Sequence, residues 1–274
     1  MAQWNINTQE YLANNKTLFE AFNLADKDGN IINSFGVASN IPIAAGQVDG
    51  WGWVHKFGAV PLMSTNPGYG SVWDKSDTLY PWSAFSTPGV LTVATTAVNG
   101  SAVTTDDGKT ITIIGLDASF NETQDTITIS GGVGTGTVTF ARVYRAFTSA
   151  DNTAEFRVSR GGTEVLRINI GKAQTLMAVY TVPAGKTAYL IKGTTSIGNS
   201  GDATVDLFAR FGGTGAFRIG HTLECSMTGG QYTYEFAVPI PLPEKTDIDV
   251  RATVRSNNCR VTAAFDMVLV DNPA

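Results

Sequence analysis

The sequence predicts a mainly β protein: antiparallel β-sandwich or jelly-roll-like domains behind a short N-terminal segment that is helical or extended. Three observations carry this. From Gly89 onward, short runs alternate apolar and polar residues, the period of a half-buried strand. Turn residues punctuate these runs at about 8 to 12 residue intervals, the spacing of sandwiches rather than of parallel sheets. Charged residues make up only 16% of the 274 residues, and glycine is abundant at 29. The average soluble domain carries roughly 25% charge. No fixed-period repeat appears, which excludes a solenoid or propeller.

The first element differs from the rest. "NTQEYLANNKTLFEAFNLA" (7–25) places Tyr11, Leu12, Leu18, Phe19, Phe22 and Leu24 near helical spacing. Thr8 opens a capping-like stretch, but Tyr11 stands where a capping box needs an acid or amide. An Asn14–Asn15 break suggests one or two short helices. Such a helix is marginal alone in water, so its apolar stripe, with Leu18, Phe19 and Phe22, is expected to dock on the body or on another subunit. Residues 1–35 are therefore expected to form an anchoring segment. Residues 31 to 88 read as irregular and extended, with short strands such as one around Gly70–Trp73. This stretch holds Trp51, Trp53, Trp73 and Trp82. So many large rings in a loop-rich region demand burial against something.

The β pattern then runs on. "GVLTVATT" (89–96) alternates, and "KTITIIGLDASFNETQDTITIS" (109–130) reads as strand, turn around Asp117–Asn121, strand. "TVTFARVYRAFTS" (137–149) continues it, and "ADNTA" (150–154) breaks it. That break suggests a loop-rich and then β domain over 36–149 and a sandwich or jelly-roll-like domain over 150–274. In the second half, strands are expected at 155–160, 163–170, 174–182, 187–197, 203–211, 215–227, 231–238, 247–255 and 259–270. "RGGT" (160–163) is a two-glycine hairpin signal. "VPAG" (182–185) puts Pro at the first central position of a β-turn. "TGGQ" (228–231) joins two alternating strands.

Totals exclude several function classes. A formal net charge of −5 offers no field for nucleic acid. No apolar run reaches the length of a membrane span, and Met1–Glu10 lacks the pattern of a signal peptide. Cys225 and Cys259 match no metal spacing. Placed on neighbouring strands they would be able to pair, but a cytosolic setting favours free thiols.

Motifs that suggest chemistry each meet a plainer reading. "DKDGN" (26–30) begins like a calcium loop, but Ile31 occupies the glycine position and Val37 the bidentate acid position, so a polar turn is expected. His221 and Cys225 share a strand face about 13 Å apart, too far to share a metal. His55 sits among aromatics and is expected to pack. "GGVGTG" (131–136) follows a strand as phosphate loops do, yet leads into another strand, so a hairpin loop is expected. Asp49, Asp74 and Asp77 lie near tryptophans in sequence, and a glycosidase would need two such carboxylates aimed at one cleft. Nucleophile elbows and zinc-protease motifs do not occur. No enzyme activity, cofactor or metal is expected.

"DGWGWVHKFGAVPLMSTNPGYGSVWDKSDTLYPW", "GLDASFNETQDTITISGG", "GKAQTLMAVYTVPAGKTAYLIKGT" and "FRIGHTLECSMTGGQYTYEFAVPIPLPEKTDIDVRATVRSNNCRVTAAFDMVLV" resemble a family of virion structural proteins of tailed bacteriophages, common in marine phages and cyanophages. The resemblance spans nearly all of 36 to 270. It implies a particle component, assembled in the bacterial cytoplasm, whose partners are the major capsid protein or neck and tail proteins. A capsid decoration or head-fibre role is favoured, with a neck, tail, tail-fibre or adaptor role as the alternative. Host glycans are possible ligands, and a carbohydrate-active enzyme is the third reading. A homo-oligomer is implied, a trimer by analogy. Trp51, Trp53, Phe57, Trp73, Trp82, Leu18, Phe19 and Phe22 are the interface candidates, because aromatics are enriched at interface cores.

Overall fold

The computed structural model describes residues 24–25, 31–32, 40–65, 68–198, 201–226 and 230–273. The chain divides into two compact units, Met1–Asp49 and Gly50–Ala274. In the first, strands β1 (Leu24–Ala25) and β2 (Ile31–Ile32) pair antiparallel, and helix α1 spans Asn40–Ala44. Leu24, read as part of a helix, is in a strand. The rest of the expected helix, with Leu18, Phe19 and Phe22, and the "DKDGN" turn lie outside the described residues.

The second unit contains an eight-stranded jelly roll. Its strands are β3 (Trp51–Met63), β12 (Val179–Thr181), β13 (Lys186–Ile197), β14 (Asp202–Arg210), β15 (Arg218–Cys225), β16 (Gln231–Leu242), β17 (Asp247–Ser256) and β18 (Cys259–Asp271). One sheet runs β16-β13-β18-β3, and the other runs β12-β17-β14-β15 with the two-residue β4 (Gly70–Ser71) added beside β17. All pairs are antiparallel. Numbered one to eight along the chain, these strands stand 1-8-3-6 and 2-7-4-5, the order of a double-sheet jelly roll. Alternate residues point into the space between the sheets: Ala263, Phe265, Met267 and Leu269 from β18, and Ile248, Val250, Ala252 and Val254 from β17. A bulge in β13 between Leu190 and Lys192 keeps both ends of that strand in phase with the core.

A second β module is inserted between the first and second jelly-roll strands. Its four-stranded sheet runs β11-β10-β5-β8, from β5 (Thr92–Thr96), β8 (Val133–Thr135), β10 (Glu155–Arg160) and β11 (Thr163–Ile168). Its three-stranded sheet runs β7-β6-β9, from β6 (Thr110–Leu116), β7 (Glu122–Thr128) and β9 (Arg142–Thr148). A separate core fills it, with Ile111, Ile113, Phe140, Phe156 and Ile168 fully buried. The chain leaves and returns side by side: Ala178 N–H donates to Val72 O at 2.9 Å, and Trp73 bridges Met177. Adjacent entry and exit are what let a domain be inserted without distorting its host.

Two of the local turn signals are realised, while most of the "TGGQ" turn lies outside the described residues. Gly161 and Gly162 both have positive φ in the β10–β11 hairpin, as a two-residue primed turn requires. Asp117 Oδ1 accepts from the Ser119 and Asn121 N–H groups to close the β6–β7 turn. The expected boundary at 149/150 falls between strands that share a sheet, since β10 pairs with β5 across it.

The two modules are joined by buried ions. Asp247, fully buried, accepts from Arg142 Nε at 2.9 Å, Arg210 Nε at 3.0 Å and Thr181 Oγ1 at 2.6 Å. Asp249 accepts from Trp82 Nε1 and Arg251 Nε, each at 2.9 Å. Phe217 lies under both Arg210 and Arg251, at 4.5 and 4.4 Å. Removing one partner from such a network strands a buried charge.

Candidate functional site

The "DGWGWVHKFGAV" stretch forms most of β3, a 13-residue strand where an irregular segment is expected. Its alternation is hidden because the inward positions are Gly52, Val54, Lys56, Gly58 and Val60, only two of them apolar and branched. Gly58 is required there: a Cβ would come within 2.3 Å of Val72 O and 2.4 Å of Ala178 N. Among the described residues β3 pairs in the sheet with β18 alone, so its other edge carries no sheet strand, although Ala59 N–H there donates to Leu176 O at 3.3 Å.

The outward positions of β3 form an aromatic row. Trp53 and His55 rings stack at 5.9 Å and 22°, and His55 and Phe57 lie 5.6 Å apart. Register extends the row across the sheet. Trp53 stands beside Val268, which stands beside Tyr189, which stands beside Pro241. The next line is polar: His55 Nδ1 is 2.5 Å from Asp266 Oδ1, Lys192 faces Asp266, and Lys192 Nζ is 3.3 Å from Glu235. These exposed pairs order the face more than they stabilise it.

A cleft of about 540 Å³ runs along the free edge of β3, between it and the inserted module. Its lining includes Trp53, Lys56, Glu122, Tyr144, Arg145 and Tyr180. Lys56 points inward and is buried, its ammonium donating to Tyr144 O. Burial, reinforced by the like charge of Arg145 and opposed by Asp74, lowers its pKa to about 7. Tyr144 donates from its hydroxyl to Glu122 Oε1 at 3.1 Å; burial and that carboxylate raise its pKa. Tyr180 packs its ring on Tyr144 at 4.7 Å, and its buried hydroxyl has no hydrogen-bond partner among the described residues. Sequence reasoning missed Lys56, Glu122, Tyr144 and Tyr180, because they come from four different strands spread over more than a hundred residues.

The interface candidates divide. Trp51 and Trp53 are 46% and 53% exposed, and Phe57 is half-buried. Trp73 and Trp82 are 0% and 8% exposed, in the chain's own core, which corrects their reading as contacts for a partner. Of the acids weighed for glycoside cleavage, Asp74 is buried and accepts from Leu176 N–H, with its carboxyl pushed well above the ordinary range by burial. Asp77 accepts from Ser64 N–H. Neither borders the cleft beside Trp53, where Glu122 does. The Gly131–Gly132 nest is filled by the chain's own Asp107, whose two oxygens accept both N–H groups at 2.8 Å. His221 packs on Tyr234 and Phe236, and burial lowers its pKa against the pull of Asp206. Cys225 and Cys259 are free, buried thiols in opposite sheets of the jelly roll rather than on neighbouring strands.

No family model matches the chain, and no curated protein matches it. Among solved structures it is similar to the infectious bursal disease virus VP2 subviral particle, at 11% identity over 86% of this chain and 78% of that one, with a TM-score of 0.20. It is similar also to the structure of the Gx strain of that virus, at 12% identity over 82% and 76%, with a TM-score of 0.14. Scores this low carry no inference about fold or role.

Proposed function

We propose that this chain is a structural subunit of a virus particle, acting through protein–protein contacts. One observation carries the reading: a jelly-roll sheet whose two edge strands both expose large apolar side chains. At one edge stand Trp51 and Trp53; on β16 at the other stand Tyr232, Tyr234 and Val238. Large apolar side chains open at both edges of one sheet suit contacts with neighbouring subunits, since interface cores are enriched in such residues. Low charge and plain antiparallel strands suit a subunit that hides surface in an assembly. The resemblance of residues 36 to 270 to tailed-phage virion proteins supports a phage particle. Within it we favour an accessory capsid position, as a decoration or head-fibre protein in a closed homo-oligomer.

Quantitative mass spectrometry of purified particles tests this. Copies in the hundreds, on the order of the capsid lattice, are expected; about 3 to 18 copies would move the chain to the neck or tail. Absence from particles would end the structural reading altogether.

A further inference from the structure

We propose that the cleft along the free edge of β3 binds an acidic sugar, a pyranose ring lying on Trp53 with its carboxylate held by Lys56 and Tyr180. The cleft has the volume of a small-ligand site and the usual mixture of rings with a few convergent polar groups. Two of those groups have unmet demands. Lys56 is an ammonium taken out of water and met by two neutral groups, the Tyr144 carbonyl and, 5.6 Å from its centroid, the Tyr144 ring. Tyr180 is a buried hydroxyl lacking a partner among the described residues. Leaving such groups uncompensated is costly, and one carboxylate satisfies both.

The rim selects the body that carries this carboxylate. Trp53 presents an exposed ring stacked in line with His55. The same cleft is lined by Glu122, Arg145 and Gln174, donors and acceptors suited to ring hydroxyls. An aromatic acid would use the ring and strand those polar groups; a sugar uses both. Glu122 opposes an anion, but its Oε1 is held by the Tyr144 hydroxyl and Arg145 stands beside it. Burial keeps Lys56 near a pKa of 7, so the empty site loses its positive charge as pH rises through that value. Arg145 and Asp74 act on Lys56 from β9 and from the entry to the inserted module; Glu122 and the His55–Asp266 pair border the same space. Trp53 also stands on the edge surface proposed for assembly, so binding is read on the free subunit; loss of binding in Lys56→Met bears on this site, and copy number in particles bears on the other.

The test titrates the whole chain with D-glucuronate, D-glucose and acetate, followed by ligand-observed NMR at about pH 6 and pH 8.5. Glucuronate is expected to bind at least about tenfold tighter than either control, and more weakly at the higher pH. Lys56→Met and Trp53→Ala are expected to abolish or sharply weaken it. Tyr180→Phe, which removes one oxygen and no packing, is expected to weaken it with the circular dichroism spectrum unchanged. Equal binding of glucose overturns the carboxylate assignment, and equal binding of acetate overturns the sugar. No binding of glucuronate, or full affinity in both Tyr180→Phe and Trp53→Ala, overturns the site.

Discussion

Two pairs of tryptophans lie within 32 residues of each other and meet opposite fates. Trp73 and Trp82 leave the jelly roll with the inserted module's first segment and become its core. Trp73 meets Tyr80 edge-on at 5.1 Å and donates its N–H to Thr78 O; Trp82 donates to Asp249 under Arg210. Each ring is buried with its polar handle satisfied, the arrangement that makes an indole stabilising inside a protein. Trp51 and Trp53 have the same chemistry but stand outward on an edge strand, beside Val270 and Val268 of β18. Ring size alone did not decide burial; place in the fold did, a loop and 3-10 turn packed into the inserted module's core for one pair and the outer face of an edge strand for the other.

The largest expected effect is on the buried pair. Trp73→Ala should cost about 3–5 kcal/mol in urea unfolding, because the cavity cannot collapse between two sheets. A loss under about 1 kcal/mol would show that this core is not packed as described.

Lys56 gives the next effect and tests the inner face of β3. Burial lowers its folded pKa from 10.5 to about 7. Between those values the unfolded chain holds a proton that the folded chain lacks, so stability rises with pH across that window. Its penalty is full below pH 7 and relieved toward 10. Lys56→Met should therefore be more stable than the wild type near neutral pH, by at most about 4 kcal/mol. The gap should close between about pH 7 and 10, while tyrosines and cysteines titrate alike in both proteins. A pH-independent gap would remove the buried-amine account.

Trp53→Ala should change unfolding free energy least, within about 0.5 kcal/mol. It should nevertheless reduce oligomer formation or incorporation into particles, read by analytical ultracentrifugation and by copy number. A loss as large as that of Trp73→Ala would erase the distinction between the pairs.

Much of the β framework was legible. Most strands from 155 to 271 begin and end within a few residues of the expected limits, although only Val179–Thr181 of the expected 174–182 is strand and 231–238 runs on to Leu242, and the turns at Asp117 and Gly161–Gly162 sit where their chemistry demands. β3 was not, because Gly52, Lys56 and Gly58 break its inward apolar run for reasons that lie elsewhere in the chain. Gly58 answers to Val72 and Ala178, and Lys56 to Tyr144. The cleft was equally hidden, since it gathers side chains from β3, β7, β9 and β12 that no local spacing relates.

By itself, then, the sequence determined the fold class, most strand limits and the tight turns, because these depend on residues within a few positions of one another. Only the tertiary structure decided that β3 pairs with β18 some two hundred residues away, that a whole β module sits between the first two jelly-roll strands, and that one tryptophan pair is core and the other surface. Those outcomes depend on which faces meet across long loops, and a period of two is the same on either face of a sheet.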